Sequence, residues 1–131
     1  MTQRFVARFA SGLETPTLAR HQLDDWLPAS VGEGPRGALR LLVSELVTNC
    51  VRHARAGSEA PVELSLRLGD AGVRVEVRDS GPGFRPQARP TPRGADGGYG
   101  LFLVERMASR WGVDSEGGTR VWFELEFEPA A

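Results

Sequence analysis

Leu42-Val43-Ser44-Glu45-Leu46-Val47-Thr48-Asn49-Cys50-Val51-Arg52-His53 has the spacing of a helix with two characters. Leu42, Val43, Leu46 and Cys50, with Leu39 ahead of them, recur at three- and four-residue intervals and make one apolar stripe. Glu45, Asn49 and His53 recur at every fourth position and make a polar stripe beside it. Such a stripe is common on an exposed helix face. Asn is nevertheless a poor helix former, and here Leu, Val and Cys surround it. The spacing predicts a helix from about Arg36 to Ala54, after a turn at Gly32-Glu33-Gly34-Pro35 and before a stop at Ala56-Gly57-Ser58.

Downstream the period changes to two. Val62, Leu64, Leu66 and Leu68 alternate with Glu63, Ser65 and Arg67. After Gly69-Asp70-Ala71-Gly72 the rhythm returns in Val73, Val75 and Val77. This alternation predicts a sheet with one packed and one wet face. Upstream, Arg4 to Phe9 reads as a short strand with Phe5, Ala7 and Phe9 on one side. Thr15-Pro16 opens a helix, since Pro is tolerated in a first turn. Leu18, Leu23, Trp26 and Leu27 form its stripe, and Pro28 helps to stop it.

Phe84 to Asp96 carries Pro86, Pro90 and Pro92 and cannot be a regular helix. A last helix is expected from near Gly98 to near Trp111-Gly112. A closing pair of strands around Val113 to Phe127 follows, with Val121, Phe123, Leu125 and Phe127 inward. This order predicts one domain over residues 1–131. Its fold class is α/β, a two-layer sandwich with a mixed or antiparallel sheet and three main helices on one face.

Composition narrows the function. A length of 131 residues suits one domain with a real core. A net charge of −1 argues against nucleic acid, because neutralising phosphates needs a clear excess of cations. The single cysteine excludes an internal disulfide and a cysteine metal cluster. No stretch reaches the roughly 18 apolar residues of a membrane span, so the expected location is the cytoplasm, away from membranes.

Three segments carry the chemistry. Asp79 continues the odd-numbered series Val73, Val75, Val77, so parity turns its carboxylate toward the helix layer. A carboxylate there is costly unless something pairs with it. Asp79-Ser80-Gly81-Pro82-Gly83 reads either as a strand-ending turn or as a place where glycine admits a flat ligand to the backbone. Gly97-Gly98-Tyr99-Gly100-Leu101 opens the last helix, where free amides and the dipole favour an anion. It is neither a dinucleotide fingerprint nor a Gly-Lys-Ser/Thr phosphate loop. An Asn amide oxygen suits magnesium, and a Glu one turn away can accept a proton.

With the segments in this order, the chain resembles the GHKL ATP-binding superfamily of gyrase-type topoisomerases, histidine kinases and related ATPases. Within it the chain most resembles the small anti-sigma-factor serine/threonine kinases of bacteria. Glu45-Leu46-Val47-Thr48-Asn49 with His53 looks like their N box. Asp79 to Gly83 looks like the first glycine box, Gly98 to Leu101 the second, and Gly118-Thr119 the final adenine-side motif. Thr119 also shares the parity of Val121 and Phe123. Cys50 departs from the small residue, often alanine, that the group has there. The Pro- and Arg-rich lid has no obvious match in the group.

The resemblance implies a Bergerat-type ATP-binding fold. Asp79 would accept a hydrogen bond from the adenine amino group, Gly81 and Gly83 would give the base room, and Thr119 would assist. Asn49 would hold Mg2+ against the phosphates, and amides around Gly98, Gly100 and Leu101 would cradle them. Glu45 would be the general base. A cation near the γ-phosphate is expected, and Arg93, nearest the second glycine box, is chosen over Arg85 and Arg89. His53 reads as a site-edge or a helix-end residue, His21 as helix surface, and Cys50 as a small buried hydrophobe. Trp26, Trp111 and Trp122 read as core or interface.

The implied function is a bacterial, ATP- and magnesium-dependent protein serine/threonine kinase controlling transcription. It would phosphorylate a STAS-type anti-anti-sigma protein and sequester a sigma factor, with a homodimer as a possible state. The alternative is a nucleotide-binding module that sequesters a regulator without turnover. An ATP hydrolase detached from a larger machine fits less well, for want of a transducer domain. A complete sensor histidine kinase is not expected at this length.

Overall fold

The computed structural model describes residues 2–53, 61–79, 99–114 and 119–127. In chain order these form β1 (Gln3–Phe9), α1 (Thr15–Trp26), α2 (Glu33–His53), β2 (Val62–Leu68), β3 (Gly72–Asp79), α3 (Tyr99–Met107), β4 (Arg110–Asp114) and β5 (Thr119–Glu126). The five strands make one sheet in the order β1-β2-β3-β5-β4. Every pairing in it is antiparallel. The expected α/β two-layer sandwich is observed.

The period-two strands deliver what they promise. Val62, Leu64, Leu66, Val73, Val75, Val77, Val121 and Phe123 are buried on the helix-facing side. Leu39, Leu42, Val43, Leu46, Val47 and Cys50 meet them from α2. Each fully buried Leu or Val contributes about 1.5–3 kcal/mol relative to exposure. Phe5 and Trp26 stack with ring centroids 5.4 Å apart, tying α1 to β1. Arg40 Nε donates to Asp24 at 2.9 Å, and Arg36 Nη2 donates to the Pro28 carbonyl at 2.8 Å, fixing the α1–α2 hairpin.

Three local expectations are corrected. α2 begins at Glu33, not Arg36, and takes in the expected turn. Pro35 sits in its first turn, where no amide donor is needed. In α1 the inward positions are Thr15, Ala19 and Leu23, four residues apart. Leu18 falls off that line and is 47% exposed. α3 ends at Met107, and Trp111 and Gly112 belong to β4. The Ala108 amide closes the helix on the Val104 carbonyl, and the Ser109 amide already bonds to Glu124 of β5. Gly112 then lies under the Trp122 ring, where an added Cβ would stand 2.7 Å from Nε1. A side chain there would displace the indole.

Candidate functional site

Asp79 is the last residue of β3 and lies between two strands, paired in register with Val62 of β2 and Thr119 of β5. Its backbone therefore lies inside the sheet, and the residue is 4% exposed on the face that strand parity predicted. Above it is the C-terminal part of α2. Burial, and secondarily the negative charge of Asp79, push the Cys50 thiol up from 9.0 to about 12. The Cys50 turn of the helix thus lies near enough to the end of β3 to feel that charge, and α2 packs against β3.

Asn49 precedes Cys50 and is 5% exposed. Glu45 lies one turn back, about 6 Å along the axis, and is half-buried. Thr48, between them, donates its hydroxyl to the Ser44 carbonyl at 2.6 Å. That bond occupies the Thr48 hydroxyl within the helix itself. The polar stripe thus enters the packed layer from its edge: Glu45 borders solvent and Asn49 does not.

Among the described residues, the buried polar ones are Thr15, Asn49 and Asp79. Thr15 serves the β1–α1 loop: its Oγ1 donates to the Ala10 carbonyl at 2.7 Å and accepts from the Gly12 amide at 2.9 Å. Asn49 and Asp79 are the two at the α2–β3 end. A buried carboxylate there can accept from the exocyclic amine of a base. A buried amide oxygen can serve as a hard ligand.

Among the described residues there is no group of three or more His, Cys, Asp or Glu able to hold a metal by themselves. Magnesium does not require one, because it keeps several waters and leans on substrate phosphates with one or two protein oxygens. The donor set at this end fits such an ion together with a purine amine.

α3 packs against α2. Gly100 and Leu101 fall in the first turn of α3, whose leading amides have no intrahelical acceptor. Those amides and the helix dipole favour an anion at that end. Gly81, Gly83, Gly98, Gly118, Arg85, Arg89 and Arg93 lie outside the described residues. His21 is exposed on α1, as expected of a helix-surface residue. The sequence reading missed that Cys50 lies near enough to Asp79 to feel its charge. Helix period turns one inward and strand parity the other, but neither says that the two inward positions coincide.

A sequence profile described as "Histidine kinase-like ATPase domain" matches residues 9–125. An uncharacterised protein of Streptomyces coelicolor is 34% identical over 90 residues, 67% of this chain and 81% of that protein. The serine-protein kinase RsbW of Staphylococcus epidermidis is 30% identical over 95 residues, 63% of this chain and 60% of the kinase. RsbW of Listeria innocua is 33% identical over 81 residues, 53% of this chain and 52% of the kinase. The matches to both kinases therefore cover less than two thirds of their length. Among solved structures, the RsbU and RsbW domains of Rv1364c from Mycobacterium tuberculosis superpose with a TM-score of 0.69 at 20% identity. That match covers 98% of this chain and 33% of the other, and it shows a shared fold.

Proposed function

From the premise that this chain belongs to the histidine kinase-like ATPase domain family, we propose that it is an anti-sigma-type protein serine/threonine kinase. In this reading it transfers the γ-phosphoryl group of ATP to a hydroxyl of an anti-anti-sigma protein and sequesters a sigma factor. The observation that carries the reading is the burial of Asp79 and Asn49 where α2 crosses the end of β3.

Asp79 accepts from the adenine amino group between the flanking strands, and Thr119 stands opposite it in register. Gly81 and Gly83 make room for the base. Gly98, Gly100 and Leu101 present amides to the phosphates at the start of α3. Asn49 holds magnesium, which when bound neutralises phosphate charge. Glu45, at the open edge, takes the proton of the attacking hydroxyl as ADP leaves, a role worth about 10²–10⁴ in rate. Arg93 supplies positive charge at the transferring group.

The RsbW kinases of Staphylococcus epidermidis and Listeria innocua support this assignment, being serine-protein kinases by name. The test is incubation with magnesium ATP and candidate anti-anti-sigma proteins, followed by phosphosite mapping. Wild type should phosphorylate a hydroxyl. Glu45→Ala should slow transfer about 10²–10⁴-fold with nucleotide affinity retained. Tight ATP binding without transfer would replace the kinase by a sequestering module. No binding at millimolar ATP would remove both readings.

A further inference from the structure

The wet face of the sheet carries charges in rows across the strands. In one row the registers place Arg8, Glu63 and Arg78 side by side, with signs alternating. In another they place Arg4, Arg67 and Arg74 side by side on β1, β2 and β3, all of one sign. Neighbouring strands are roughly 4.8 Å apart, and like charges directly opposite one another destabilise a sheet.

Arg74 is well supported. It donates to Glu124 at 3.1 Å and to Glu76 at 3.2 Å, and its guanidinium lies 4.1 Å from the Trp122 ring centroid. Arg4 and Arg67 are exposed and, among the described residues, have no ion-pair partner. Two of the nearby acids are committed to Arg74 and a second arginine each, Glu76 to Arg120 and Glu124 to Arg110, while the exposed Glu126 borders the hollow that Arg67 lines. Arg67 and Arg74 also line two hollows at once. One, of about 40 Å³, includes Arg4, Ser65 and Glu76. The other, of about 210 Å³, includes Thr2, Gly69 and Gly72.

We propose that the Arg4–Arg67–Arg74 row is a docking surface for an acidic helical segment of a partner protein. The geometry favours a helix because residues three and four apart on a helix stand about 5–6 Å apart, close to the strand spacing. Carboxylates at that interval can face successive arginines. A continuous phosphate backbone fits less well, because Glu76 and Glu124 border the row and the chain carries a net charge of −1. The row is on the opposite face of the sheet from Asp79, so it stands independently of the nucleotide reading.

The test uses the full chain and an Ala-based helical peptide of about 20 residues with Glu at positions i, i+4 and i+7. Binding is followed by NMR shifts of the protein amides. The peptide should perturb outward positions of β1 to β3, and the combined Arg4→Glu and Arg67→Glu change should weaken it at least about tenfold without lowering the thermal melt. A peptide with the same residues scrambled around the helix binding equally would overturn the proposal. So would tighter binding of duplex DNA, no binding at millimolar peptide, or a dimer in sedimentation that Arg67→Glu dissolves. A second readout needs no peptide. Arg67→Thr should raise the melting temperature by about 2–4 °C at low salt, because an empty row repels itself. A lower melting temperature would mark the row as structural and sink the docking surface.

Discussion

The two faces of the sheet are written in the same strands and obey different physics. On the inner face, Val62 to Leu68 and Val73 to Val77 present apolar side chains almost wholly removed from water. On the outer face, residues of the other parity form ion pairs such as Arg8–Glu63 and Arg120–Asp114, with side chains from 26% to 71% exposed. Inner positions hold the fold through packing, and outer ones are free to carry charge for other purposes. Asp79 is the informative exception. It is a charged residue at an inner position, at the end of β3 and under the turn that carries Asn49 and Cys50. A carboxylate at an inner position needs pairing or hydrogen bonds to offset its desolvation, and its place close to Asn49, a second buried polar residue, makes this end of the sandwich the candidate site.

The largest difference between the faces should appear on truncation. Phe123 is fully buried and pairs in register with Val75 and Trp111. Phe123→Ala should cost about 3–5 kcal/mol in urea unfolding. A loss below about 1 kcal/mol would mean that the inner face does not carry the fold.

Next is the exception itself. In the proposed reading Asp79→Asn exchanges a charged acceptor for an amide that offers the adenine amine a weaker one. ATP affinity by calorimetry should fall about 10–100-fold, the value of a hydrogen bond to a charged group. Unchanged affinity would leave the buried carboxylate without a ligand role.

The sequence made much of this contrast readable. Period two in β2 and β3 separated the faces, and parity alone turned Asp79 inward. Period 3.6 in α2 likewise placed Asn49 beside the buried stripe. Punctuation was less legible. Pro35 looked like part of a turn but fits a first helical turn, and Trp111-Gly112 looked like a helix end but pairs with β5. Two features could not be read at all, because each depends on long-range register. One is the closeness of Cys50 to the charge of Asp79. The other is the alignment of Arg4, Arg67 and Arg74, since a strand slip of one residue moves every side chain to the other face.

Cys50 tests the inner face by pH. The folded chain keeps the thiol proton up to about 12, whereas an ordinary thiol releases it near 9.0. Below pH 9 both states hold the proton and the contribution is intact. Between 9 and 12 the unfolded state binds fewer protons than the folded one, so stability falls as pH rises. The slope approaches about 1.4 kcal/mol per pH unit. Cys50→Ala should flatten the decline in alkaline urea titrations, and identical slopes in the two proteins would refute the burial of the thiol.

The smallest effect is expected on the outer face, and its smallness is the point. Arg8 Nε donates to Glu63 at 3.0 Å, but the Arg8 side chain is 71% exposed and that of Glu63 26%. Water and salt screen such a pair, and both long side chains lose freedom in forming it. A double-mutant cycle with Arg8→Ala and Glu63→Ala should therefore give a coupling of about 0.2–1 kcal/mol that shrinks toward zero in 1 M salt. A coupling above about 2 kcal/mol, or one indifferent to salt, would show that the outer face also holds the fold. The arginine row beside it would then have to be read as part of the scaffold, since charges that strongly coupled across β1 and β2 could not be reversed without damaging the sheet.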